Sequence, residues 1–221
     1  MALPKAKKVV VAIATLCLVV VCLALVVDLK AQANRAALLG RGDYRLAQTD
    51  GGTFSRETLK GAPFAVFFGF THCPDICPTT LGEVALWRQD LPAARDLKVF
   101  FVTVDPERDS LDDLAAYTSW VPGVVGVRGS QEQTAKVLAS FQILAQRIYI
   151  GNGDYTMAHT SFMLLFDENG VFVEVIPYGS APEEAVGKLA NLMAGNPAGR
   201  GARLPSDPVA QLCFSVQEAL L

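Results

Sequence analysis

Short, continuous apolar runs alternate with longer segments of mixed polarity through the middle of this chain. The runs at 63–70, 98–104 and 124–127 are rich in aromatic and β-branched residues and are bounded by turn residues. Runs of this length and composition are typical of strands that are buried on both faces of a sheet. The pattern therefore predicts three central strands.

The segments between and after these runs have helical patterns. Helices are predicted over 79–90, 111–120, 131–141 and 182–193. Ser110 can cap the second helix, which has acidic residues in its first turn. The first helix has apolar residues spaced for one buried face, namely Leu81, Val84, Leu86 and Trp87.

Two pairs of short strands are predicted to form hairpins. The strands at 44–48 and 53–54 flank a DGG turn, and those at 161–166 and 171–176 flank a DENG turn. The segment 149–155, which contains GNGD, is predicted to be a loop. Strands that alternate with helices, followed by a closing hairpin, predict an α/β fold whose parallel sheet has an antiparallel edge.

The N-terminal part of the chain carries one long uncharged run, residues 9–27. As a helix it would reach about 28 Å, close to the thickness of the hydrocarbon core of a bilayer. Lysines lie just before the run, which predicts a cytoplasmic N-terminus and export of the rest. The alternative is a cleaved signal peptide, because Ala31-Gln32-Ala33 has the form of a cleavage site. Both predictions place residue 34 onward outside the cytoplasm.

Composition narrows the classes of function. The 221 residues include 19 Lys or Arg and 22 Asp or Glu, so the net charge is −3. Residues 1–30 have a net charge of +3, and the remaining residues therefore have a net charge of −6. An acidic exported part argues against nucleic-acid binding, which favours a basic face. The chain has no glycine-rich phosphate loop and no G-x-S-x-G motif. With 2 histidines it cannot form a multi-histidine zinc site.

Of the five cysteines, Cys73 and Cys77 form the one local pair, directly after the strand predicted at 63–70. Residues four apart lie on one face of a helix, and a helix start favours thiolates. The carboxyl ends of parallel strands are also where open α/β sheets bind ligands. The other cysteines are Cys17 and Cys22 in the apolar run and Cys213 in the tail.

Two neighbouring thiolates suit soft metals, copper(I) more than most, and such a site needs a third ligand. His72 adjoins Cys73 but precedes the predicted helix, so we expect it to point away from the pair and to hydrogen-bond in its loop. His159 lies just before the strand predicted at 161–166. If that strand pairs beside 63–70, His159 reaches the same sheet edge. On spacing alone, an ordinary hydrogen-bonded loop histidine is the expectation for His159.

Three segments carry a family resemblance: GFTHCPDICP at 69–78, TVDPERD at 103–109 and DYTMAHTSFM at 154–163. In order and separation they resemble the SCO/SenC proteins, which are membrane-anchored copper carriers of thioredoxin fold that serve assembly of the copper centre of cytochrome c oxidase. The resemblance covers about residues 43–193 and the anchor. Its C-x-x-x-C spacing differs from the C-x-x-C of ordinary thioredoxins.

The resemblance implies a thioredoxin-like α/β fold, with a central mixed sheet flanked by helices and preceded by one N-terminal transmembrane helix. It implies a copper site made by Cys73, Cys77 and His159, which would hold Cu(I) and also Cu(II). It further implies a reversible disulfide between the two cysteines when no metal is bound.

Asp105 matches an acidic residue near the family's site, and a cap for the turn before Pro106 is an equal expectation. His72 is the other residue expected beside the ligands. Arg108 and Asp109 are expected to fix the loop that contains them. Where the family often has an aspartate before the metal histidine, this chain has Ala158, and the lost carboxylate would weaken the orientation of the ring.

The implied organisation follows the chain in five parts. They are a cytoplasmic segment 1–8, an anchor 9–27, a linker 28–42, a copper-binding domain 43–194 and a tail 195–221 of unknown structure.

The implied function is that of a copper metallochaperone for the copper-bearing subunit of cytochrome c oxidase or another cuproprotein. The domain would lie outside the cytoplasm, on the periplasmic side of the inner membrane in a bacterium. The alternative is a thiol–disulfide oxidoreductase that keeps the acceptor's cysteines reduced, for which His159 would be dispensable. A structural disulfide between Cys73 and Cys77 is the third hypothesis. It would stabilise the fold little, because the loop that it closes is short.

Overall fold

The computed structural model describes residues 5–196, within which the chain forms five α-helices and nine β-strands. The helices are α1 Lys5–Leu38, α2 Ile76–Asp90, α3 Leu111–Thr118, α4 Gln131–Ser140 and α5 Pro182–Met193. The strands are β1 Leu46–Gln48, β2 Thr53–Phe54, β3 Phe64–Gly69, β4 Lys98–Thr103, β5 Val124–Arg128, β6 Ala145–Gly151, β7 Asp154–His159, β8 Phe162–Phe166 and β9 Phe172–Pro177. The predictions for the first four residues and for the tail from 197 onward, including Cys213, lie outside the described residues.

Seven strands form one mixed sheet in the order β2-β1-β5-β4-β3-β8-β9. β3, β4 and β5 pair in parallel at its centre, and β1 and β8 add antiparallel pairs on either side. Every residue of β3 is buried, as its continuous apolar run predicts. The three central strands and the two hairpins of the sequence analysis are thus confirmed.

Helix α1 is longer than the uncharged run that predicts it. It continues through most of the segment 28–42, expected to be a linker, and Leu39 after its last residue is buried in the core of the domain. Gly40 then turns the chain with a φ of +72°, the left-handed conformation that commonly ends a helix. Among the described residues, Ile13–Leu38 is the one helix that is long and apolar enough to cross a membrane.

Two other local predictions are wrong. The segment 149–155 is not a loop, because β6 and β7 pair across it to form a separate two-stranded sheet. Asn152 and Gly153 form the turn of this hairpin with positive φ angles. In α2, Leu86 is 58% exposed rather than buried, since its neighbour Trp87 occupies the face towards the core.

Candidate metal centre

The two cysteines lie at the carboxyl end of β3, on either side of the start of α2. Cys77 is in the first turn of the helix and Cys73 is in the loop before it, so the prediction that both share a helical face is wrong. The reason is Pro78, which is tolerated only in the first turn of a helix and therefore prevents a start one turn earlier. The cysteines still meet, because Cys73 Sγ accepts a 3.4 Å hydrogen bond from the Cys77 backbone N–H. A helix start leaves such N–H groups unpaired, and they stabilise a thiolate.

His159 reaches the same place from the other side of β3. It is the last residue of β7, and the chain then enters β8, which runs antiparallel to β3 with Met163 opposite Phe67. The residues that precede β8 therefore lie beside the end of β3 from which the cysteine loop departs. The expectation that this strand brings its leading residues to the sheet edge is confirmed.

The donor atoms of Cys73, Cys77 and His159 all lie within 4.8 Å of one another, and all three residues are buried. His159 Nε2 is 3.8 Å from Cys77 Sγ, and its Nδ1 is 3.0 Å from the carbonyl oxygen of Thr160. Because a carbonyl only accepts hydrogen bonds, Nδ1 carries a proton, and in the neutral form of the ring Nε2 presents a lone pair. Two thiols and a neutral imidazole form a donor set that suits a soft metal.

The walls of the site are apolar and close. The ring of Phe70 stands perpendicular to the His159 imidazole, with 5.8 Å between ring centroids. A Cβ atom added to Gly69 would lie 2.8 Å from Cys77 Sγ and 2.8 Å from the edge of the Phe101 ring. Glycine at this position therefore leaves the space that the sulfur occupies.

Asp109 holds the cysteine loop against the sheet. Its buried carboxylate accepts hydrogen bonds from the backbone N–H and the hydroxyl of Thr71, and from the hydroxyl of Thr103 at the end of β4. From the end of β5, Arg128 donates to the Asp109 carbonyl oxygen at 2.7 Å. These bonds confirm that Asp109 fixes its own loop, and they extend its role to the loop of the cysteines.

Arg108 connects the same loop to the hairpin that carries His159. Its Nε donates to the Asp105 carboxylate and its Nη1 donates to the Tyr155 carbonyl oxygen at 2.8 Å. The guanidinium lies over the Tyr155 ring, 3.7 Å from the ring centroid, and the Tyr155 hydroxyl donates to Asp105 at 3.0 Å. We call these three residues the hairpin clamp. Since β6 and β7 pair with each other rather than with the main sheet, the clamp is a principal fixture of the hairpin.

Asp105 and His72, the other two residues expected near the ligands, are not part of the group formed by the three donor residues. Asp105 is buried and engaged by the hairpin clamp, and its carbonyl oxygen also accepts from the N–H of Asp109, as in a turn. The His72 side chain is 55% exposed, and its Nδ1 is 3.0 Å from the Thr71 hydroxyl. The expectation that His72 hydrogen-bonds within its loop is confirmed.

Tyr117 on α3 is a residue near the site that the sequence analysis did not single out. Its ring packs on Phe101 at 5.4 Å between centroids, and its buried hydroxyl has no hydrogen-bond partner within residues 5–196. Burial, together with the charges of the Cys77, Cys73 and Asp109 groups, raises the pKa of this hydroxyl. In sequence, a tyrosine on an amphipathic helix indicates only a core position, so nothing there reveals where the oxygen lies.

Comparison with known proteins gives one consistent family. The sequence model of the SCO1/SenC family matches residues 32–194. The chain is 34% identical over 155 residues to the mitochondrial protein SCO2 of Saccharomyces cerevisiae, covering 66% of this chain and 51% of the yeast protein. It is 33% identical over 154 residues to an SCO2-like protein of Rickettsia conorii, covering 68% of this chain and 75% of that protein. The chain thus spans about half the length of the yeast relative.

The fold agrees with a solved structure of the same kind. The copper-bound structure of Bradyrhizobium japonicum ScoI superposes with a TM-score of 0.61 and 36% sequence identity, covering 68% of this chain and 98% of that one. The predicted thioredoxin-like α/β fold, with its central mixed sheet flanked by helices, is thereby confirmed.

Proposed function

Because this chain belongs to the SCO1/SenC family, we propose that it binds one copper ion and delivers it during assembly of the copper centre of cytochrome c oxidase. Cys73, Cys77 and His159 would supply the ligands, two thiolates and one imidazole nitrogen. Copper is the cargo of this protein, so the site has to hold the ion and also release it.

The observation that carries the proposal is the convergence of the three donor atoms within 4.8 Å at the end of a central strand. Cys77 and His159 are 82 positions apart in the sequence, yet two separate elements bring their side chains together. A chance contact does not explain this convergence. The donor set is also compatible with copper, because soft thiolates and an imidazole are ligands that Cu(I) accepts. The copper bound by Bradyrhizobium japonicum ScoI supports the same choice.

We further propose that α1 anchors the domain in the membrane, with the N-terminus in the cytoplasm and the metal centre outside it. Its apolar side chains between Ile13 and Leu29 are exposed along the helix, as lipid contact requires. The lysines at the start of α1, Lys5, Lys7 and Lys8, precede its uncharged run and favour this orientation. For the anchor and the copper-binding domain we propose the boundaries 9–27 and 43–194, with Leu39 from the segment between them packed in the domain's core.

The two histidines of the chain provide a matched test of the site. We would titrate the reduced, full-length protein in detergent micelles with Cu(I) under nitrogen, in competition with a Cu(I) chelator. We expect one ion per chain, with affinity lowered at least tenfold in His159→Ala, because a three-ligand site loses one donor. His72→Ala is the control and should bind as the unchanged protein does. Equal affinity in the two variants would contradict the proposed ligand set.

A second candidate function is thiol–disulfide exchange, in which the pair would reduce the cysteines of a copper acceptor. The observation that favours it is the Cys77 N–H directed at Cys73 Sγ, which stabilises the thiolate that attacks a disulfide. His159→Ala separates the two candidates, since exchange with a mixed-disulfide peptide needs both cysteines but no imidazole. Retained exchange with lost copper binding would assign the two activities to different residues of one site.

A further inference from the structure

Tyr117 on α3 carries an unused hydrogen-bond donor, and its ring packs on Phe101, which adjoins the metal centre. The oxygen is buried and makes no hydrogen bond among the described residues. Buried polar atoms of this kind are uncommon, because a donor without a partner loses its hydrogen bond to water and gains none in return. A group retained at this cost calls for an explanation.

The surroundings of Tyr117 indicate which groups its hydroxyl could donate a hydrogen bond to. Its ring packs on Phe101, and the Phe101 ring edge and Cys77 Sγ both lie 2.8 Å from one point above Gly69. The sulfur and that ring edge are therefore separated by no more than twice this distance. Burial is the main cause that raises the pKa of the phenol, and the electrostatic influence of Cys77 and Cys73 comes next, ahead of that of Asp109.

We propose that Tyr117 is a positioning residue of the metal centre, whose hydroxyl donates to a copper-bound thiolate and so favours Cu(I) over Cu(II). This inference rests on the proposed copper-binding function. The hydrogen bond is absent in the metal-free protein and forms when the sulfur becomes charged, as bonds that serve a site often tighten only in its loaded state.

The preference for Cu(I) follows from the electron demand of the two ions. Cu(II) depends more on electron donation from sulfur than Cu(I) does, and a hydrogen bond to the sulfur reduces that donation. Hydrogen bonding around a cysteine sulfur is accordingly one of the means by which proteins set the potential of a copper site. A donor at Tyr117 would therefore raise the potential of the copper couple.

Tyr117→Phe tests this, because it removes the oxygen and keeps the ring on Phe101. Full-length protein in micelles is loaded with copper and titrated at an electrode, which supplies the one electron that converts Cu(II) to Cu(I). We expect the equilibrium to move towards Cu(II) by about tenfold, or about 59 mV for one electron. The thiolate-to-Cu(II) absorption band should move to longer wavelength. The melting temperature of the metal-free variant should stay the same or rise.

Tyr44→Phe is the matched control. Tyr44 is another buried phenol, but its hydroxyl already donates to the Gly40 carbonyl oxygen at 2.7 Å, far along the chain from the cysteines. We expect this variant to melt at a lower temperature, with unchanged potential and absorption.

Three outcomes of these titrations support or overturn the proposed role of Tyr117. A shifted potential and band in Tyr117→Phe alone support the inference. Normal copper loading with unchanged potential and band in Tyr117→Phe overturns it, and indicates that a water molecule satisfies the hydroxyl. Failure of the unchanged protein to bind copper overturns the proposed function instead, which the stoichiometry reveals before any potential is measured.

Discussion

A single missing side chain makes room for the Cys77 sulfur. The Cβ of any residue other than glycine at position 69 would come within 2.8 Å of Cys77 Sγ and of two atoms of the Phe101 ring. The backbone there is fixed by pairing with Thr103 of β4, and Val104 N–H donates to the Gly69 carbonyl oxygen at 2.8 Å. The strand cannot move away, so the sulfur and the ring would have to shift.

We therefore predict that Gly69→Ala weakens Cu(I) binding. Overpacking at a buried position typically costs about 1–3 kcal/mol of stability, and displacement of one ligand atom adds a loss of metal affinity. The measurement is chelator competition for Cu(I) together with denaturant unfolding of the metal-free protein.

Gly82→Ala is the control for Gly69→Ala. A Cβ at Gly82, in the middle of α2, would meet only the Trp120 ring at 3.9 Å, an ordinary contact. Alanine is preferred to glycine in a helix by about 0.5–1 kcal/mol, so this variant should be more stable and bind copper normally. Normal copper affinity in Gly69→Ala would show that the sulfur is not confined as described.

At the scale of single residues, sequence and structure agree where chemistry leaves few choices. Cysteines four apart after a buried strand already indicate a site, and a chain with two histidines offers few further ligands. Tyr117 and Gly69 could not be recognised in this way. Their roles depend on distances across α3, β3 and β4, and only the packed core supplies those distances.

At the scale of elements, the main sheet was predictable and the hairpin of β6 and β7 was not recognised. The central strands are buried on both faces and so appear as unbroken apolar runs. In contrast, β6 is largely exposed, and its residues pair only with β7. Burial therefore imposes little pattern on it. A signal was present nonetheless, because Asn152-Gly153 between two alternating segments is a strong hairpin turn.

The position of the His159 imidazole depends on this hairpin, because His159 is the last residue of β7. We predict that Arg108→Lys lowers Cu(I) affinity by about 10- to 100-fold, the usual effect of losing a partner that orients a ligand. Lysine keeps the charge but cannot donate in a planar fork to both Asp105 and Tyr155. Chelator competition measures the affinity, and hydrogen exchange of the β6 and β7 amides should be faster in the variant.

Arg95→Lys is the control for the hairpin clamp, since Arg95 is exposed on the surface. It should leave both the affinity and the exchange unchanged. A loss of affinity in Arg108→Lys with hairpin amides that exchange at their original rate would contradict the view that the clamp acts by holding the hairpin.

At the scale of the whole molecule, the end of α1 and the candidate metal centre lie at opposite ends of one strand, β8. The first residue of β8 follows shortly after His159, and its last residue, Phe166, lies beside Gly40 at the end of α1. Gly40 N–H also donates to the Ser140 carbonyl oxygen at 2.8 Å, which fixes the end of α1 to α4. Helix α1 is thus joined to the domain through packed side chains as well as through the backbone.

The joint itself can be tested with two adjacent leucines. Leu39 is 1% exposed and belongs to the core, whereas Leu38 is 57% exposed. We predict that Leu39→Ala lowers the free energy of unfolding by about 2–5 kcal/mol, the range for a buried leucine. Leu38→Ala should change it by less than about 0.5 kcal/mol, as surface substitutions usually do. The measurement is denaturant unfolding of the full-length protein in micelles, followed by circular dichroism.

The comparison also decides whether 28–42 is a linker. If this segment were a passive linker, the two substitutions would change the free energy of unfolding equally. Equal effects would therefore support the linker prediction. Unequal effects would mean that the end of α1 is part of the fold. Because Phe166 contacts the joint and its strand leads back to His159, Leu39→Ala should then also loosen the metal centre. A fall in Cu(I) affinity that accompanies the fall in stability, absent in Leu38→Ala, would establish that coupling.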